Sequence, residues 1–85
     1  MYASGALMIR IQHDSSVLAA TAYSAKDNLL EVFFTSGEIY SYAGVPSAVY
    51  EALLAADSKG TFFNAHIRNL YPFEHLGQSH HTSEN

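Results

Sequence analysis

Three short stretches of the chain are rich in the β-branched and aromatic residues that favour strands. They cover residues 17–24, 29–35 and 38–42. Residues 25–28 read Ala-Lys-Asp-Asn and residues 36–37 read Ser-Gly. Both sequences favour tight turns, because Asp, Asn and Gly tolerate the left-handed region of the backbone. The pattern therefore predicts a three-stranded antiparallel meander.

Beyond residue 44 the apolar positions change to the spacing of helices. The first predicted helix runs from Pro46 to Ala56, since proline suits the first turn of a helix. Residues 57–60 end it and supply caps for a second helix, which stops before Pro72. The order is β-β-β-α-α, and an α+β fold with both helices packed on one face of the sheet is the most economical arrangement.

The ends of the chain carry weaker signals. Residues 1–14 read as an N-terminal extension or an edge segment, because their few apolar residues fit either a short strand or loose packing. Residues 15–74 contain the predicted domain. Residues 75–85 are polar and read as a flexible tail.

Composition narrows the class of protein. The chain has 85 residues, of which 48% are hydrophobic and 13% aromatic, so it forms one small domain with a core rather than a disordered chain. The absence of cysteine excludes a disulfide framework and a thiolate zinc site. A net charge of −4 argues against long-range attraction to nucleic acid.

The motifs of enzymes and of targeted proteins are missing. No Gly-x-Ser-x-Gly elbow, phosphate-binding glycine loop or carboxylate pair in an apolar setting is present. The apolar residues 1–9 are too few for a signal sequence or a membrane span. We therefore expect a cytoplasmic, non-catalytic protein with no cofactor, no metal site and no membrane partner.

Tyr40 and Tyr42 are the first candidate binding residues, because residues two apart on a strand point to the same face. Which face they share depends on the preceding turn. With a two-residue turn at 36–37, Phe33 pairs with Tyr40. Phe33, Tyr40 and Tyr42 then form an aromatic platform on the face away from the helices. Such a platform is typical of proteins that stack the bases of single-stranded RNA.

A three-residue turn at 35–37 shifts this pairing by one position. Tyr40 then lies opposite Val32 and Tyr42 lies opposite Leu30, so that both tyrosines join the core. Aromatic residues at strand spacing more often pack in a core. The sequence leaves both registers open.

The start of the second helix is another candidate site, because free N–H groups there favour an anion. The simpler alternative is ordinary capping by Ser58, with Arg68 in a surface ion pair to Asp57 or Glu74. The residues of this candidate phosphate corner are Ser58, Lys59, Gly60, Asn64 and Arg68.

Taken together, these segments resemble the KTSC domain, a short bacterial domain named for its occurrence at the C-terminus of some lysyl-tRNA synthetases and also found as a stand-alone protein. The resemblance runs from Ser16 to Phe73. It implies an α+β fold and, through the synthetases, suggests RNA binding. The residues that carry it are Leu30, Val32, Phe34, Gly37, Tyr40, Tyr42, Val45, Pro46, Ala56, Ser58, Gly60, Phe63, Asn64, Ile67, Arg68 and Tyr71.

Two function classes follow. The first is a weak RNA-binding accessory domain for a tRNA-type ligand, whose affinity is limited because only 4 basic residues stand against 8 acidic ones. The second is a protein-interaction module, including a homodimer formed through an exposed edge strand at residues 17–24.

Overall fold

A computed structural model describes residues 8–78 of the chain. They form five strands and two helices, with short turns between most of them. The elements are β1 (Ile9–Gln12), β2 (Leu18–Ser24), β3 (Leu29–Phe34), β4 (Glu38–Ala43), α1 (Ser47–Ala55), α2 (Lys59–His66) and β5 (Phe73–Gln78).

All five strands form one antiparallel sheet in the order β1-β2-β3-β4-β5. The three central strands and both helices are those that the sequence predicts. The strand count of three was wrong, because β1 adds to the free edge of β2 and β5 returns after the helices to pair with β4. The backbone groups at both edges of the meander thus find partners.

The two additional strands change two further predictions. Residues 75–78, which the sequence analysis assigns to a polar tail, belong to β5, whereas residues 79–85 lie outside the described residues. The stretch 17–24 is not an edge, because β2 pairs with both β1 and β3. An edge-to-edge homodimer would therefore need β1 or β5.

The hairpin between β3 and β4 has the register of the three-residue turn. Val32 lies opposite Tyr40, and Leu30 lies opposite Tyr42. Gly37, which ends the turn with φ of 101°, supplies the positive backbone angle. Phe33 pairs with Ile39 and therefore points to the opposite face, so the predicted platform of Phe33 with both tyrosines is not formed.

The helices cover one face of the sheet, and the core lies between that face and the helices. Leu53 of α1 and Phe63 of α2 are almost completely buried against this face. The core residues are Leu18, Leu30, Val32, Tyr42, Val45, Tyr50, Leu53, Phe63 and Ile67.

The outer face of the sheet carries Phe33 with a basic neighbour rather than a row of rings. The guanidinium carbon of Arg10 lies 4.1 Å from the centre of the Phe33 ring, which is a cation–π geometry. Across residues 8–78, neither helix has the length and apolar character needed to cross a membrane.

Candidate functional site

A groove of about 480 Å³ opens on the helix-covered side of the sheet, between β4, the start of β5 and the end of α2. We call it the aromatic groove, because rings make up much of its surface. The rings belong to Phe34, Tyr40, Tyr42, Phe63 and Phe73.

Strand pairing brings the rings of Tyr40, Tyr42 and Phe73 into one row on the same face of the sheet. Tyr42 lies opposite Phe73, and Tyr40 lies opposite His75, in the register between β4 and β5. Residues paired in this way point to the same face of the sheet. The centre of the Tyr40 ring is 4.7 Å from that of His75 and 5.7 Å from that of Phe73.

The row runs from a buried floor to an open rim. Tyr42 is only 3% exposed, and its ring makes an edge contact with Phe63 at a centroid distance of 5.3 Å. Phe73 is 60% exposed, and the exposure of Tyr40 is intermediate between those of Tyr42 and Phe73. The groove therefore combines a fixed ring at its base with accessible ring faces at its edge.

Arg68 supplies the positive charge of the aromatic groove. It follows α2 in sequence, is exposed, and donates a hydrogen bond from Nη1 to Oδ1 of Asn64 over 3.1 Å. Within residues 8–78 it makes no ion pair with Asp57 or Glu74, which the sequence analysis weighs as its partners. Most of the guanidinium donors remain available to a ligand.

Glu38 also borders the groove, but its carboxylate is engaged by β5. His75 Nε2 lies 2.5 Å from one oxygen, and Gln78 Nε2 donates to the other over 2.6 Å. The hydrogen bonds from Gln78 and His75 lower the pKa of Glu38. This carboxylate therefore connects β4 to the edge strand β5 beside Tyr40.

The predicted phosphate corner lies in a separate depression of about 390 Å³. Ser58 Oγ accepts a hydrogen bond from the backbone N–H of Thr61, which makes it the helix cap, and Lys59 Nζ donates to the carbonyl of Ala56. Asp14 and Asp57 line the same depression, and their charges oppose an anion.

The structure thus divides the predicted site residues into three places. Tyr40, Tyr42 and Arg68 share the aromatic groove, and Asn64 borders both the groove and the corner. The corner keeps Ser58, Lys59 and Gly60. Phe33 lies on the outer face of the sheet.

The sequence does not predict Phe73 as a member of the groove or His75 as the residue that packs on Tyr40. It placed them at the end of the domain and in the tail, where no partner strand was expected. Their spacing of two residues is the signal that would have found them, because it is the spacing of a strand that faces one side.

A comparison with models of known protein families shows which family the chain belongs to. The family model of the KTSC domain matches residues 14–71. The chain belongs to the KTSC domain family. All the residues that line the groove except Phe73 fall within that match.

The relatives of this KTSC domain include small proteins and synthetases. An uncharacterized protein of Stutzerimonas stutzeri is 46% identical over 57 residues, which are 67% of this chain and 80% of that protein. A lysine–tRNA ligase of Nostoc punctiforme is 38% identical over 66 residues, which are 78% of this chain but only 12% of the ligase. This KTSC domain therefore corresponds to a small part of the ligase.

The fold of the domain also has a solved counterpart. The crystal structure of a KTSC domain protein from Yersinia pestis superimposes with a TM-score of 0.81 at 30% sequence identity. The superposition covers 84% of this chain and all of the other.

Proposed function

We propose that this KTSC domain is a non-catalytic RNA-binding accessory module that holds a short single-stranded segment in the aromatic groove. The observation that carries the proposal is that the exposed ring of Phe73, the partly buried ring of Tyr40 and the guanidinium of Arg68 border the same groove. Bases stack on such rings at roughly 1–3 kcal/mol each, and arginine binds the phosphate between them.

The relatives support an RNA ligand, because three of them are lysine–tRNA ligases, whose substrate is a tRNA. The charge of the chain fits an accessory role. With a net charge of −4 and few basic residues, its own affinity is weak and sensitive to salt. A tether to a larger RNA-binding protein would raise the effective concentration of the RNA. The proposal places the domain in the cytoplasm.

The test is a titration of fluorescently labelled single-stranded RNA and of tRNA, followed by anisotropy at low and moderate salt. Arg68→Gln is expected to weaken binding and to reduce the slope against log salt by about 0.7, the effect of one lost phosphate contact on a single strand. Lys26→Gln is the matched control, because Lys26 is an exposed residue of the turn between β2 and β3. The absence of binding at low salt would refute the proposal.

A protein-interaction role is the second candidate, and exposed apolar residues at both sheet edges favour it. Ile9 in β1 is 69% exposed, and Leu76 in β5 is 47% exposed. Edge strands with apolar side chains pair readily with another strand. Light scattering across a dilution series tests self-association, and a constant monomer mass would exclude it.

A further inference from the structure

The hydroxyl group of Tyr42 is a polar group on a buried side chain. The side chain is 3% exposed, yet its hydroxyl makes no hydrogen bond to any atom within residues 8–78. Two of the other tyrosines that pack in or against the core differ. Tyr23 donates to the carbonyl of Val45 over 2.6 Å, and Tyr50 shares a hydrogen bond of 2.9 Å with Thr21.

An unpartnered buried hydroxyl costs stability, since it gives up its hydrogen bonds to water and gains none from the protein. A phenylalanine would fill the same space without that cost. Tyr42 also lines the aromatic groove, so a ligand that enters the groove comes within reach of this side chain. A bound molecule would not have to displace any partner of this hydroxyl within residues 8–78.

The surroundings of Tyr42 indicate which ligand atom its hydroxyl would meet. Burial raises the pKa of the phenol, while the nearby charge of Arg68 acts in the opposite direction. The phenol stays protonated at neutral pH and is a hydrogen-bond donor. Arg68 contributes further donors and is steadied by Asn64. The Glu38 carboxylate also lines the groove, but its two oxygens are engaged by His75 and Gln78 of β5. Two donors that border one groove suit an oxygen atom that accepts several hydrogen bonds and carries negative charge.

We propose that the Tyr42 hydroxyl and the Arg68 guanidinium together bind one phosphate group of a nucleotide whose base stacks on the exposed ring of Phe73. This inference rests on the proposed function and adds its central contact. The phosphate would satisfy the unpartnered hydroxyl and the free guanidinium donors at once. Phe73 would stack with the base, which is a contact that a free phosphate ion cannot make.

Adenosine 5′-monophosphate is the probe, followed by chemical shifts of the ¹⁵N-labelled protein, with adenosine and inorganic phosphate as separate arms. The monophosphate is expected to bind more tightly than either. Tyr42→Phe is expected to weaken its binding roughly tenfold, the effect of losing one hydrogen bond to a charged group. The same variant should leave adenosine binding unchanged and keep or raise the melting temperature.

Tyr23→Phe is the matched control, because it removes a hydroxyl that has a partner outside the groove. It should lower the melting temperature and leave nucleotide binding unchanged. Equal affinity of the wild type and Tyr42→Phe for the monophosphate would overturn the inference, as would equal affinity of the wild type for inorganic phosphate and for the monophosphate.

The same titrations with a short RNA separate this inference from the proposed function. RNA binding that Tyr42→Phe does not change overturns the phosphate contact alone. Monophosphate binding that depends on Tyr42, without any RNA binding, supports the contact and overturns the RNA function. If neither ligand binds, both are overturned.

Discussion

Tyr42 lies directly opposite Leu30 across β3 and β4, on the face that the helices cover. This single pairing decides what the tyrosines of β4 do. A shift of one residue would move both to the outer face beside Phe33. In the observed register Tyr42 is part of the core, and Tyr40 lies next to it in the wall of a groove.

The turn before β4 holds this register through one glycine. Gly37 has φ of 101°, which a residue with a Cβ adopts only under strain. Gly37→Ala is expected to lower the free energy of unfolding by about 1–3 kcal/mol. Urea denaturation measures it, with Ser36→Ala in the same turn as the comparison, because exposed Ser36 accepts only one hydrogen bond in the described part of the chain, a long one of 3.4 Å from the Glu38 N–H. A loss from Gly37→Ala no greater than that from Ser36→Ala would show that the angle carries no strain.

Tyr42 is expected to behave as a large core residue when it is truncated. Tyr42→Ala removes a ring that is 3% exposed and contacts Phe63, so it should cost about 3–5 kcal/mol of unfolding free energy. Phe73→Ala is the control in the same row of rings and should cost much less, because Phe73 is 60% exposed. Equal losses in the two variants would contradict the core position of Tyr42.

A buried threonine links the sheet to α1. Thr21 Oγ1 lies 2.7 Å from His13 Nε2 and 2.9 Å from the hydroxyl of Tyr50, and Thr21 itself is fully buried. Thr21→Val should cost about 1–3 kcal/mol, because it leaves the Tyr50 hydroxyl without this partner.

A double-mutant cycle measures the coupling between Thr21 and Tyr50. It also requires urea denaturation of Tyr50→Phe and of the variant that carries both Thr21→Val and Tyr50→Phe. The double variant is expected to lose less than the sum of the single losses, since each single change already breaks the shared hydrogen bond. Strictly additive losses would show that the pair is not coupled.

His13 gives the stability a dependence on pH. Burial, and to a lesser extent the charge of Lys59, lower the pKa of His13 from its ordinary value of 6.5. The folded protein then binds fewer protons than the unfolded chain, so stability falls as the pH drops through 6.5 toward the pKa of the folded state.

Urea denaturation between about pH 7.5 and 5 measures this slope, and His13→Asn should flatten it. Glu38 does not interfere, because its pKa is lowered from 4.5 by Gln78 and His75, and its stabilisation is lost only at pH values below that. An identical slope in the wild type and in His13→Asn would contradict the assignment.

The central part of the fold follows from the sequence, because its signals are local. Alternating apolar residues, turn residues and helical spacing predict β2, β3, β4, α1 and α2. The local signals of the two outer strands are weak, since β1 is short and β5 is largely polar. They form strands because the neighbouring edge of the sheet offers them a strand to pair with. That edge is a property of the assembled sheet, which no local pattern contains.

The candidate site was predictable only in part for the same reason. The sequence singles out Tyr40, Tyr42, Asn64 and Arg68, and the structure places all four around the aromatic groove. Phe73 was missed as a groove residue because β5 was missed. The face of Tyr40 and Tyr42 depended on a one-residue register, and the sequence of the turn allows both alternatives, although aromatic residues at this spacing more often pack in a core.

The most direct test of the account is a map of where RNA contacts the domain. A short single-stranded RNA added to the ¹⁵N-labelled protein at low salt is expected to shift the amide signals of Asn64, Arg68 and Phe73. The signals of Arg10 and Phe33 on the outer face should stay in place. Shifts confined to the outer face, or no shifts at low salt, would contradict RNA binding in the aromatic groove.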